Sequence, residues 1–126
     1  MRSENEIAQI VVDTAFHLHK TVGPGLLESA YEQALKYDLE ERGLEVKSQV
    51  AMPFHYKGVN LDVGYRIDLL VEGKLIVEIK SVEQLAPVHF AQTLTYLRLS
   101  DIKLGLLINF NSKLLKDGIN RLVNGL

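Results

Sequence analysis

Between Tyr65 and Lys80, in YRIDLLVEGKLIVEIK, two runs rich in Ile, Leu and Val flank Glu72-Gly73-Lys74, the pattern of a β-hairpin with a short turn. Side chains alternate across a strand, so Tyr65, Ile67, Leu69 and Val71 are expected to share one apolar face with Leu75, Val77 and Ile79. The opposite face then carries Arg66, Asp68 and Leu70 on the first strand and Ile76, Glu78 and Lys80 on the second. Two registers fit the turn. With Gly73 in the left-handed position of a three-residue loop, Leu70 pairs with Lys74 and Glu78 lies diagonal to Asp68; with a loop of Glu72 to Lys74, Val71 pairs with Leu75 and Asp68 stands opposite Glu78. Both registers keep the two carboxylates on one face, and a slip by one residue would mix the apolar and polar faces.

Upstream, Ile7, Ile10, Val11, Thr14 and Leu18 recur with helical period and predict an amphipathic helix over residues 4–20. His17 and His19 lie near its end but two apart, so they form no helical metal pair. Gly23-Pro24-Gly25 breaks the chain, and Pro24 is placed to lead into a second helix from about Leu26 to Arg42, capped at Gly43. Its expected apolar stripe is Leu27, Ala30, Tyr31, Ala34, Leu35 and Leu39, and Glu28 falls between Leu35 and Leu39 on it. A carboxylate aimed at the core wants a cation or hydrogen-bond donors. At the stripe's edge it would merely favour the helix dipole. Asp38 also falls on the stripe, so position alone leaves both readings of Glu28 open.

Residues 46–56 predict a strand with Pro53 at an edge or bulge, and Lys57-Gly58-Val59-Asn60 turns it into a strand from about Leu61 to Val71. With Leu75–Lys80 this makes a three-stranded antiparallel meander. A helix from about Pro87 to Leu99 follows, with Phe90, Leu94 and Leu97 as its buried stripe and Ala91 at the margin. His89, Gln92 and Tyr96 lie on its other side, where Gln92 and Tyr96 can lean over the polar face of the hairpin while His89 reads as ordinary surface. Lys103 to Phe110 is a nearly continuous apolar run, typical of a strand buried on both faces and joined to the hairpin in parallel through the helix. Gly118 to Val123 fits either a last short strand or a helical turn. The fold class is α/β: a mixed β-sheet, the three-stranded antiparallel meander plus a parallel strand, flanked by helices.

Composition changes this picture little. The chain of 126 residues suits one domain, residues 1–126, and contains no cysteine, so disulfides and thiolate metal sites are excluded. Nothing at the N-terminus resembles a signal peptide or a membrane span, and a cytoplasmic protein is expected. Charge matters more. The net charge is −2, against a broadly basic nucleic-acid-binding surface, yet residues 1–45 hold four Lys/Arg and nine Asp/Glu while residues 46–126 hold ten and seven. The half containing the hairpin is net positive by ten minus seven, which leaves room for a phosphate-attracting groove.

For the polar face of the hairpin, the plain reading is a solvated surface pair, Glu78 with Lys80, worth roughly 0.2–1 kcal/mol. The chemical reading is that Asp68 and Glu78 offer hard oxygen ligands to a divalent cation such as Mg²⁺ while Lys80 brings positive charge to a scissile phosphate. A wider set of residues bears on the choice. Gly25-Leu-Leu-Glu28-Ser-Ala-Tyr31 matches the signature of the GxxExxY family, and nearly the whole chain resembles the PD-(D/E)XK nuclease superfamily. The resemblance runs through HK before GPGLLESAYE, then GYRIDLLVE, VEIK, AQTLTYL and GLLINF.

The resemblance implies a restriction-endonuclease-like core, with Asp68 as the motif aspartate, Glu78-Ile79-Lys80 as the E-x-K element and Glu28 as the acidic residue of the first helix. It also makes Gln92-Thr-Leu-Thr-Tyr96 similar to the Q-x-x-x-Y motif of the exonuclease-like branch. Ile67 stands where the superfamily often has proline, a position that shapes the strand and supplies no ligand. Glu28, Asp68 and Glu78, with the carbonyl of Ile79, would then hold Mg²⁺ or Mn²⁺, Lys80 would complete the catalytic set, and Gln92, Tyr96 and Arg66 would contact substrate. The implied partner is nucleic acid, DNA in the first instance, with no membrane; a homodimer is one way for so small a domain to grip enough of it. The alternative is a non-catalytic nuclease-fold module that binds nucleic acid or regulates.

Overall fold

The computed structural model describes residues 1–126. Its elements in chain order are α1 (Glu4–Val22), α2 (Glu28–Glu41), β1 (Val46–Ala51), β2 (Phe54–Tyr56), β3 (Val59–Leu61), β4 (Arg66–Val71), β5 (Leu75–Lys80), α3 (Pro87–Ser100), β6 (Leu104–Asn109), a 3₁₀ turn (Leu115–Gly118) and β7 (Ile119–Val123). Five strands form one sheet in the order β1-β4-β5-β6-β7. The β5–β6 pair is parallel, and β1–β4, β4–β5 and β6–β7 are antiparallel. No helix is long and apolar enough to cross a membrane.

α1 begins with a capping box: the Ser3 hydroxyl accepts from the Glu6 N–H at 3.2 Å and the Glu6 carboxylate accepts from the Ser3 N–H at 3.0 Å. Its buried side is Ile7, Val11, Ala15 and Leu18. His19 is also buried, and its Nε2 lies 2.9 Å from the carbonyl oxygen of Ser112, tying the end of α1 to the loop after β6. α2 starts later than Leu26, at Glu28, so Pro24 stands four residues ahead of it. Leu27 and Ala30 are exposed, and the apolar stripe begins only at Tyr31, continuing through Leu35 and Leu39. At the far end Gly43, with φ +85°, lets its own N–H reach Glu40 O and the Leu44 N–H reach Leu39 O.

The expected strand over residues 46–56 is broken in two, as is the one from Leu61 to Val71. Pro53 cannot donate to a ladder, and Gly64 turns at φ +76° with its N–H on the Asp62 carboxylate. Between these breaks β2 and β3 pair only with each other, through the tight Lys57-Gly58 turn in which both residues have positive φ. The last element is a strand, β7, preceded by the 3₁₀ turn.

The sheet carries two apolar layers. One is formed by α1 and α2 against Leu69, Val71, Leu75, Val77, Ile79 and the alternate residues of β6. The other is smaller: Met52, Ile67, Ile76, Tyr96 and Leu97 under α3. β6 is buried at all six positions because it is covered on both faces. Gly105 of β6 admits α3 closely, since a Cβ there would stand 3.2 Å from Leu97 Cδ2. α3 is rotated from the face its apolar spacing suggests: Thr93, Tyr96 and Leu97 are buried, Phe90 and Leu94 only half-buried, and Ala91 exposed. The rotation turns the Gln92–Tyr96 side toward the sheet.

Candidate active site

The β4–β5 turn follows the second of the two registers. Glu72 and Gly73 both have positive φ, +55° and +64°, and the Lys74 N–H donates to Val71 O at 3.0 Å. Val71 pairs with Leu75, Leu70 with Ile76 and Leu69 with Val77. There the regular ladder stops. At the next position the Asp68 N–H donates to Glu78 Oε2 at 2.8 Å, and the Ile79 N–H donates to Asp68 Oδ2 at 2.8 Å. The strands part, and two carboxylates take the amides that carbonyl groups would otherwise satisfy.

The same point is irregular on the other side of β4. Ser48 pairs with Leu69 and Val50 with Ile67, but no rung joins Gln49 to Asp68. Gln49 has φ +51°, an uncommon conformation for a residue with a side chain. Its amide donates to Glu32 Oε1 at 2.8 Å and to Asp68 Oδ1 at 3.3 Å. The break has a consequence for the faces of β4: Ile67 packs with Ile76 and Tyr96 under α3, not with Leu69 and Val71, and the Tyr65 ring lies edge-on to Tyr96. The single apolar face expected from Tyr65 to Val71 therefore changes sides at Asp68.

Burial dominates the electrostatics. Glu78 is 3% exposed, which removes the solvated-pair reading. Its burial, reinforced by the negative charge of Asp68, pushes its carboxyl up to about 8, against the opposing pull of the Asp68 N–H and Lys80. Burial also raises Asp68, held back chiefly by the Ile79 N–H and by Lys80. Glu32 is raised by its partial burial and then by Asp68. Tyr96, 4% exposed, is raised by burial and then by the charge of Glu78. These groups form one coupled acidic cluster.

Of the residues singled out from the sequence, Asp68, Glu78 and Ile79 meet directly. Lys80 is half-buried at the end of β5, has no carboxylate within 4.0 Å, and acts on Asp68 and Glu78 through its charge. Glu28 is exposed; its Oε2 lies 3.5 Å from the Ser81 N–H, one residue past Lys80, and its charge is felt at Asp68 and Glu32. Gln92 donates to the Tyr96 hydroxyl at 2.9 Å, and Tyr96 feels the charge of Glu78 and Asp68. Arg66 stands apart, lining a groove with Met52, Pro53 and Leu61, and makes no hydrogen bond to the cluster. His89 is a cap: its Nδ1 accepts from the Ala86 N–H at 2.9 Å.

Two members of the cluster went unnoticed in the sequence. Glu32 lies four residues after Glu28 on the same helical face, a spacing that could have flagged it. Gln49 left no sign, because a left-handed glutamine inside a strand is not a sequence pattern.

The donor chemistry suits a hard divalent cation: the cluster is rich in carboxylate oxygens, and the Asp68, Glu78 and Glu32 carboxyls are raised first by burial and, at the two glutamates, next by the charge of Asp68, which such an ion would neutralise. As the side chains lie, however, no three His, Asp or Glu groups are gathered tightly enough to hold a metal ion. Backbone amides occupy the inner oxygens of Asp68 and Glu78, and Glu28 projects into solvent.

The site is thus a carboxylate cluster at the open end of a hairpin in a mixed α/β domain. A profile of the PD-(D/E)XK nuclease superfamily matches residues 5–122, and the chain belongs to that superfamily. Membership suggests a nuclease, an enzyme acting on nucleic acid with a divalent metal, as is general in the superfamily. No curated protein and no solved structure matches the chain.

Proposed function

We propose that this protein is a metal-dependent nuclease of the GxxExxY type that hydrolyses phosphodiester bonds, with DNA as the first substrate to test. The reading rests above all on the reciprocal Asp68–Glu78 pairing where β4 and β5 part, beside Lys80. Mg²⁺ or Mn²⁺ held by Glu28, Asp68, Glu78 and the carbonyl of Ile79 would supply Lewis acidity and an acidified water. Lys80 orients the attacking water and neutralises charge that develops on the phosphate. Gln49 and Glu32 hold Asp68 from behind, and the Gln92–Tyr96 pair positions the strand being cut. Arg66 contacts a neighbouring phosphate. The reading includes a cytoplasmic protein and allows a homodimer.

A cleavage panel over single-stranded, duplex, flap and branched DNA and over RNA, with Mg²⁺ or Mn²⁺, tests this. Cleavage by the wild type that is lost in Asp68→Ala and Lys80→Ala is the expected result, and a Lys80→Ala protein as fast as wild type removes that residue from the mechanism. That no three carboxylates close on one point favours one rival, a non-catalytic nucleic-acid-binding or regulatory module. Silence on every substrate despite measurable metal binding is its signature.

A further inference from the structure

The β2–β3 hairpin is set apart from the five-stranded sheet, and its composition is unusual for a surface arm. Paired residues of an antiparallel ladder point to the same side, so Phe54, Tyr56, Val59 and Leu61 share one face and His55 and Asn60 the other. Of the fifteen large apolar side chains exposed on the protein, five fall within residues 56–65: Tyr56, Val59, Leu61, Val63 and Tyr65. No other stretch of similar length concentrates them so, and neither apolar layer of the sheet covers them.

Two further observations say what this face is for. The Phe54 and Tyr56 rings are stacked, with centroids 6.1 Å apart at 20°, and Lys57 Nζ stands over the Tyr56 ring 5.3 Å from its centroid, so the aromatic pair carries a cation on its face. Residues 46–66 hold Lys47, Lys57 and Arg66 against Asp62 alone, a net charge of three minus one on a protein that is acidic as a whole. Past the hairpin, the chain leads toward the site. Tyr65 is 37% exposed and meets the buried Tyr96 ring edge-on at 5.9 Å, and Tyr96 lies within the field of Glu78.

We propose that the arm formed by the β2–β3 hairpin and Tyr65 is a stacking platform for unpaired bases, so that the protein grips single-stranded nucleic acid beside the Asp68–Glu78 cluster. Exposed rings accept any base, because every base has a stackable face, while Lys57 and Arg66 track the backbone phosphates. An intact duplex hides its base faces in the stack and offers such an arm only phosphates. The inference takes the substrate class one step beyond the nuclease reading and rests on it for the placing of the scissile bond, although the grip itself does not require cleavage.

The test is therefore made on binding. Fluorescence anisotropy with the full chain in EDTA measures affinity for a labelled single-stranded DNA 20-mer and for the same sequence as a duplex. Tyr56→Ala and Tyr65→Ala are each expected to weaken single-strand binding about fivefold or more, Tyr65→Phe to stay near wild type, and duplex binding to change little. Circular dichroism confirms that each variant is folded, and where Tyr65→Ala is not, Tyr65→Leu, which keeps the bulk and removes the ring, is expected to show the same loss. Wild-type affinity in the alanine variants, or equal loss on duplex and single strand, overturns the proposal. So does a dimer in analytical ultracentrifugation that Tyr56→Ala dissolves without touching DNA binding, since the face would then be covered by a second copy. Ring-dependent binding without cleavage sinks the nuclease reading and leaves the platform standing; cleavage with ring-independent binding does the reverse.

Discussion

The two ends of the β4–β5 hairpin are built from the same two strands and obey different rules. At the turn end Leu69, Val71, Leu75 and Val77 are fully buried, their backbones are paired rung by rung, and the side chains fill the larger apolar layer. At the open end one rung further on, side-chain carboxylates replace carbonyl groups as acceptors, and Glu78 stays buried with a raised affinity for protons. Stability is concentrated at the first end, and the second is where the proposed function places its chemistry. Strand pairing has been given up where polar side chains take its place, and a closed ladder there would leave the carboxylates no room between the strands.

The sharpest break of this comparison is Asp68→Ala against Leu69→Ala. Asp68→Ala is expected to lower cleavage by about a hundredfold or more, with stability within about 1 kcal/mol of wild type, because losing the Ile79 hydrogen bond and relieving repulsion with Glu78 and Glu32 oppose each other. Leu69→Ala, at a position 0% exposed, should cost about 2–5 kcal/mol in urea unfolding. Equal stability losses for these neighbours would erase the division between the ends.

Acidity sharpens it next. In metal-free protein the folded state holds a proton on Glu78 up to about 8, whereas the unfolded chain releases it near 4.5. Stability contributed by this group is complete below the lower value and is lost as pH rises through the upper one, with a slope of at most about 1.4 kcal/mol per pH unit for one proton. Glu78→Gln, which imitates the protonated form, should flatten that decline in denaturation curves taken in EDTA. An unchanged slope would assign the proton elsewhere in the coupled cluster.

Gln49 supplies the smallest effect. Gln49→Gly removes the cost of a left-handed side-chain residue and also the bonds to Glu32 and Asp68, so stability should move by under about 1 kcal/mol. Cleavage should fall several-fold because Asp68 loses the group that orients it. Retained activity would make the left-handed backbone, not the amide, the part that matters.

Most of what this chain settles by itself is local or periodic. The cap at Gly43, the helix that starts at Pro87 and the doubly buried β6 all follow from patterns read over a few residues, because capping groups and alternation act at short range, whereas the turn residues allowed two registers and the folded hairpin took Val71–Leu75. That Asp68 and Glu78 would share a face was legible for the same reason, since both candidate turns put them there, but which register let them meet was decided by the folded hairpin. Tertiary structure decided the rest. It set β2–β3 outside the sheet and turned α3 so that Tyr96 faces Glu78. It moved Ile67 to the far layer and brought Glu32 and the left-handed Gln49 against Asp68. Each of these depends on which surfaces remain to be covered once the sheet has formed, and no window of neighbouring residues contains that information.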